Sequence, residues 1–307
     1  MCTVSFVPND QGFYLAMNRD EKRSRSIALP PRIVTVAGCR AIFPREPNGG
    51  TWIAVNDAGV CLALINWHRI QRNPADEIAS RGQVTANLAG AASSNDIADA
   101  MMEMTLHNLR PFRLIAIVPG ERVMTEWRWD LELLTARRHE WERKHWFSSG
   151  FDETTAELER SCICDAAHEE KSRDSLASLR LLHRSHAPER GPFSICMHRA
   201  DAVTVSYTEV VASTECVVMR YKNGAPCSSN SVSESSLARR VAVSFRPAPR
   251  PIDNARRYPT NLRTGNSRHV ATRPRERTCR SLRGRSRRQA ARHAYRFDRH
   301  QRHPTID

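Results

Sequence analysis

The sequence predicts an α+β domain built from largely antiparallel sheets. Short strand-like runs come first, two helical stripes follow, and strands then return with further helices between them. There is no regular strand–helix–strand alternation, no G-x-G-x-x-G and no Walker loop, which argues against dinucleotide-binding and P-loop folds. At 307 residues and 40% apolar, the chain can fill the core of one large domain or two small ones, so it is not disordered throughout. No run approaches eighteen apolar residues, so no membrane-spanning helix is expected.

Each element has a local reason. Thr3–Val7 and Phe13–Met17 flank the polar turn Pro8-Asn9-Asp10-Gln11-Gly12 and read as a hairpin. After the turn Pro47-Asn48-Gly49-Gly50, a second hairpin pairs Trp52–Asn56 with Val60–Asn66 across Asp57-Ala58-Gly59. Val84, Leu88 and Ala91 form an apolar stripe at helical spacing. Ser93-Ser94-Asn95-Asp96 supplies caps for a helix that presents Ile97, Met101 and Met104 on one face. Phe112–Val118, Val123–Trp129 and Leu131–Thr135 read as a meander, with Trp127 and Trp129 on one core-facing side. Asp152–Asp165 and Asp174–His183 read as helices, and Phe193–His198, Val203–Tyr207 and Glu215–Tyr221 as closing strands.

The net charge of +14 is unevenly placed. Residues 231–307 hold 20 of the 47 basic and 5 of the 33 acidic residues, leaving 27 against 28 in residues 1–230. Val, Ile, Leu and Phe make up only 11 of those last 77 residues, about 14%, alongside six prolines. Such a segment cannot bury enough apolar surface to offset its ordering entropy, so 231–307 is expected to be a disordered Arg-rich tail. Its charge suits nucleic acid or acidic lipid, although it has no lysine and little aromatic interleaving. A shifted reading frame in GC-rich coding sequence would have the same composition, and composition alone leaves both origins open.

The nine cysteines include no C-x-x-C pair, and the start of the chain lacks the basic patch and apolar core of a secretory signal, so a reducing cytoplasm is expected. Cys162-Ile163-Cys164 on a helix would splay its thiols about 200° apart, which disfavours chelation. Cys196 and His198, two residues apart on an expected strand, share a face and are the best pair for haem or metal, though core lining is the commoner use of such a pair. No metal site and no required cofactor is expected, and haem enters only with a carrier role.

Cys2 is the first candidate for chemistry. A small residue after Met1 favours removal of the initiator methionine, which would leave a thiol beside a free α-amine of pKa about 7.7–8.0. That amine is the thiol's own general base, so no separate histidine is needed. Asn18-Arg19-Asp20-Glu21, placed at the end of the Phe13–Met17 strand, is the second candidate, and a solvated turn is its plain alternative.

Met1-Cys2-Thr3, Ala16-Met17-Asn18-Arg19-Asp20-Glu21, Gly49-Gly50-Thr51-Trp52-Ile53-Ala54-Val55-Asn56, Asn66 and Ser80-Arg81-Gly82 together resemble the NRDE family, also called the transport and Golgi organisation 2 family. The likeness continues through Ser148-Ser149-Gly150, Gly191-Pro192-Phe193-Ser194 and His198-Arg199 to about Cys227. It departs from many members at Trp146-Phe147-Ser148-Ser149, where they carry an asparagine. The resemblance implies a four-layer αββα sandwich of N-terminal-nucleophile hydrolase type over residues 1–230. It also implies kinship with cysteine acylases. In their pattern Cys2 is the nucleophile, Arg19 and Asp20 contact its thiol and amine, and Asn66 helps form the oxyanion hole. The expected activity is hydrolysis of an amide or ester of a small, partly apolar molecule. The alternative is a non-enzymatic carrier of haem or another hydrophobic ligand. Oligomeric state cannot be read from the sequence.

Overall fold

The computed structural model describes residues 2–74, 78–169, 175–228, 231–240 and 256–257. In chain order the elements begin with β1 (Cys2–Asn9), β2 (Gly12–Lys22), β3 (Leu29–Val36), β4 (Cys39–Arg45), β5 (Ile53–Asn56) and β6 (Cys61–Asn66). Then come α1 (Gly82–Leu88), α2 (Ser94–Glu103), β7 (Phe112–Val118), β8 (Val123–Trp129), β9 (Leu133–His139) and β10 (Lys144–Ser148). The rest are α3 (Glu153–Glu169), α4 (Leu176–Arg184), β11 (Ala202–Ala212), β12 (Cys216–Asn223), β13 (Val232–Ala238) and β14 (Arg256–Arg257).

Alternation along β1 sets the layering. Val4 and Phe6 point into a core shared with Ile42, Ile53, Ala63 and Ile115, which belong to a second sheet. On the opposite face Val7 meets Leu179 of α4, and Thr3 meets Arg160 of α3. The first sheet runs β10-β1-β2-β11-β12-β13, and the second runs β14-β9-β8-β7-β6-β5-β4-β3, with antiparallel pairing between neighbours. Helices α1 and α2 cover the outer face of the second sheet, where Val84, Leu88, Ile97 and Met101 pack on Leu62, Leu64, Trp127 and Trp129. The four layers are therefore helix, sheet, sheet, helix, as expected.

Local signals account for much of this. Ser93 caps α2 by accepting from the Asp96 amide at 3.1 Å, and the Asp96 carboxylate accepts from the Ser93 amide at 3.1 Å. The two sheets are also tied by a buried polar network. Arg113 of β7 donates to the Glu126 carboxylate at 2.5 Å and to the Phe147 carbonyl of β10 at 3.0 Å.

Three expectations need correction, and three strands escaped the sequence reading. Asn18–Glu21 is not a turn after a strand but part of β2, which continues to Lys22 because β11 pairs with it along its whole length. Phe193–His198 is not a regular strand: its polar groups bond irregularly, within the segment, to Ser185 and to Thr204 of β11, with an isolated bridge between His198 and Val203. Ser194 donates to the Cys196 carbonyl at 2.7 Å, and the Cys196 amide donates to the Ser185 carbonyl at 2.9 Å. Strands β3, β4 and β10 gave no clear alternation, and β3 carries Pro30 and Pro31, which are tolerated because it is the edge of its sheet. Finally, the expected tail boundary at 230 falls too early. Val232–Ala238 forms β13, pairs with β12 and buries Leu237 against the core. Its Ser-rich outward face lowered the apolar content enough to hide it. The expectation for the rest of the tail falls, apart from the Arg256–Arg257 backbone, outside the described residues.

Candidate active site

Cys2 begins β1, and its register partner on β2 is Arg19. Residues opposite one another in an antiparallel ladder leave the sheet on the same side, so thiol and guanidinium share the inter-sheet face. Both lie at the floor of a cleft of about 300 Å³. Arg19 is held in place from two directions: its guanidinium lies over the Trp52 ring, 4.1 Å from the centroid, and pairs with Glu46 at the end of the second sheet.

Asp20, one residue on, turns its carboxylate to the other face of the sheet. There it accepts from Thr204 of β11 at 2.6 Å and pairs with Arg160 of α3 at 3.3 Å, all three being buried. Arg160 also donates to Thr3 Oγ1 at 3.0 Å and to the Cys2 carbonyl at 3.5 Å. The Asp20 backbone amide donates toward the Cys2 sulfur. The two neighbouring residues thus address Cys2 from opposite sides of the sheet. Asn66, the last residue of β6, lines the same cleft. The structure therefore brings Cys2, Arg19, Asp20 and Asn66 together around one cavity.

Burial pushes the Cys2 thiol up, against the lowering pull of the α-amine at the chain start, the Asp20 amide and Arg19. The resting group is accordingly a thiol rather than the thiolate that proximity to a cation alone would suggest. Asn18 does not reach the cleft. Its amide donates to the His183 and Ile195 carbonyls at 2.9 and 2.8 Å, and its oxygen lies 3.1 Å from His183 Nδ1. It anchors α4 to the sheet.

Several lining residues were given no site role from the sequence, although Trp52 and Arg81 belong to its motifs. Glu46 and Trp52 hold Arg19, and Arg81 lies at the start of α1. Burial first, and Arg110 second, lower Arg81 to about 10. Gly50 and Gly82 let these segments meet: a Cβ on Gly50 would sit 3.1 Å from the Gly82 Cα, and one on Gly82 would sit 2.9 Å from the Thr51 nitrogen. The Gly-Gly-Thr-Trp and Ser-Arg-Gly motifs are therefore one contact, which delivers Trp52 and Arg81 to the same cavity. Asn56 closes the β5–β6 turn by accepting from the Ala58 and Val60 amides at 3.0 and 3.1 Å.

A four-layer sandwich whose first strand carries Cys2 at the bottom of a cleft defines an N-terminal-nucleophile hydrolase-like fold. Residues 1–149 match the family model described as Transport and Golgi organisation 2, in agreement with the motif resemblance over that span. No curated protein sequence matches the chain. Among solved structures, it is similar to penicillin V acylase from Agrobacterium tumefaciens, at 10% identity and TM-score 0.47, covering 73% of this chain and 83% of that one. It is also similar to the C2A mutant of conjugated bile acid hydrolase from Clostridium perfringens, at 10% identity and TM-score 0.49, covering 81% of this chain and 99% of that one.

Among the described residues, no helix is long and apolar enough to cross a membrane.

Proposed function

We propose that this chain is a cysteine hydrolase acting on an amide or ester of a small molecule that carries an anionic group. The observation that carries this reading is the register pairing of Cys2 with Arg19 at the floor of a cleft of ligand size. The reading requires removal of Met1, so that the α-amine belongs to Cys2.

The thiol then attacks the substrate carbonyl carbon while the α-amine takes its proton. Arg19 lowers the cost of charge on sulfur, and Asp20 positions the strand end through Arg160, which holds the Cys2 carbonyl. Asn66 donates to the oxyanion. Collapse of the tetrahedral intermediate expels the amine or alcohol, which takes back the proton held by the α-ammonium. A water, deprotonated by the same α-amine, hydrolyses the thioester and restores the thiol.

The lining supports an anionic substrate better than the partly apolar one first expected. Of the three carboxylates around the cleft, Glu46 is engaged by Arg19 and Arg25, Asp20 by Arg160, and Glu21 lies 3.8 Å from Arg19, against the four arginines Arg19, Arg25, Arg81 and Arg110. Arg81 and Arg110 crowd together on the same wall, making that end electropositive.

Intact-mass analysis after exposure to an acyl-transfer probe tests the reading. One acyl adduct per chain, mapped to an N-terminal Cys2 and absent in Cys2→Ser, is the expected result. Retained Met1 in the native protein, or acylation spread over the cysteines without preference, overturns it.

A further inference from the structure

The geometry points to a tetrahedral zinc site formed by His186, Cys196, His198 and Cys227. The four donor atoms lie within 4.8 Å of one another. His198 Nε2 is 3.5 Å from the Cys196 sulfur and 3.4 Å from the Cys227 sulfur. With zinc bonds of about 2.0 Å to nitrogen and 2.3 Å to sulfur, tetrahedral ligands sit about 3.3–3.8 Å apart. These nitrogen–sulfur pairs already stand at that separation, and the widest pair needs to close by only about 1 Å. Two thiols with two imidazoles is also a donor set that suits zinc.

A second observation is independent of the spacing. His186 Nε2 is buried and has no hydrogen-bond partner. A buried ring nitrogen without a partner is costly, and a metal bond would satisfy it. The His186 and His198 rings meet edge to face, 5.1 Å between centroids, so both imidazoles converge on one place.

The ligands come from three separate segments. His186 follows α4, Cys196 and His198 lie on the irregular segment before β11, and Cys227 lies in the turn after β12. Four protein donors converging on one point leave no equatorial plane for a porphyrin, so the cluster suits a bare ion rather than haem. Binding follows Zn²⁺ + 2 RSH → Zn(SR)₂ + 2 H⁺, the protons passing to solvent, and yields a neutral centre. The exposed Arg190 side chain, 3.3 Å from His198 Nδ1, swings away when that nitrogen takes the ring proton.

The consequence is mechanical. Met197, between two ligands, donates its amide to Thr204 Oγ1 at 2.9 Å, and Thr204 donates to Asp20. Zinc would brace the wall of the sandwich behind Asp20.

Cobalt substitution tests this on the full chain, reduced with a phosphine and stripped with a chelator. The expected result is one Co²⁺ per chain, with thiolate-to-cobalt charge transfer and the intense visible bands of tetrahedral cobalt, bleached by equimolar Zn²⁺. Zn²⁺ should also protect the partly exposed Cys227 from alkylation while leaving Cys216 reactive. His186→Ala and Cys227→Ser, both at partly exposed positions that spare the core, should weaken cobalt binding at least tenfold, and Cys2→Ala should not change it. Absent thiolate bands, undiminished binding in Cys227→Ser, or a Cys196–Cys227 disulfide in the native protein would each overturn the proposal.

Discussion

Cys2 and Arg19 lie directly opposite one another in the β1–β2 ladder, and each side chain is nearly inaccessible to solvent. The guanidinium is fixed by the Trp52 face and Glu46, so its charge is pre-positioned rather than recruited. If that charge stabilises the Cys2 thiolate, Arg19→Leu should slow alkylation of Cys2 at pH 7 about tenfold, one pKa unit. Peptide mapping with time-resolved alkylation measures it, and an unchanged rate would separate the two residues functionally.

Burial raises the Cys2 thiol above the ordinary cysteine range, which fixes the sign of its pH response. The thiolate fraction is small at neutrality and grows with pH. Labelling of Cys2 should still be accelerating above about pH 8.5, where a free cysteine is levelling off. A plateau below that pH would show that Arg19 and the amine outweigh burial.

Arg160 is wholly buried and supplies the counter-charge to Asp20. Arg160→Met should cost about 3–5 kcal/mol in urea unfolding, because a carboxylate is left buried beside an apolar side chain. Adding Asp20→Asn should recover part of that loss. No recovery would mean that Arg160 matters through Thr3 and the Cys2 carbonyl instead.

His183 is buried between Ser5 and Asn18, and burial, then Arg160, lowers its pKa to about 3. An unfolded histidine takes a proton near pH 6.5, so between 6.5 and 3 the unfolded chain binds more protons than the folded one. Stability from this group is complete above 6.5 and falls as the pH drops, by up to about 1.4 kcal/mol per unit. Urea midpoints at pH 7, 6 and 5 should fall in that order, with a shallower slope in His183→Gln.

Two truncations distinguish strand from tail. Deleting residues 231–307 removes β13 and its buried Leu237, whereas deleting 241–307 keeps both. The longer deletion should cost at least about 2 kcal/mol more, from the lost leucine burial alone. Equal melting temperatures would return the boundary to residue 230. Any salt-sensitive nucleic-acid binding through the arginines should disappear in both.

What was legible in the sequence is what neighbours in sequence encode. Apolar runs bounded by turn residues gave β7 and β8, stripe and cap gave α2, and the paired hairpins gave β1, β2, β5 and β6, because period and turn chemistry act over a few residues. The family motifs added Cys2, Arg19, Asp20 and Asn66, which the fold gathers at one cleft. The hidden parts were β3 and β13, edge strands whose exposed faces dilute the apolar pattern, and β4 and β10, largely buried strands whose sequences show no clear alternation.

The sequence by itself determined the layers and the residue that heads the first strand. Only the tertiary structure decided what surrounds that residue. Glu46 reaches Arg19 across the gap between sheets, Arg160 reaches Asp20 from a helix 140 positions away, and Cys227 joins His186, Cys196 and His198 from another turn. The physical reason is that side-chain periodicity is a local property of the backbone. A charge pair or ligand cluster instead depends on which strands become neighbours and in which register, and that is settled by burying both faces of two sheets at once.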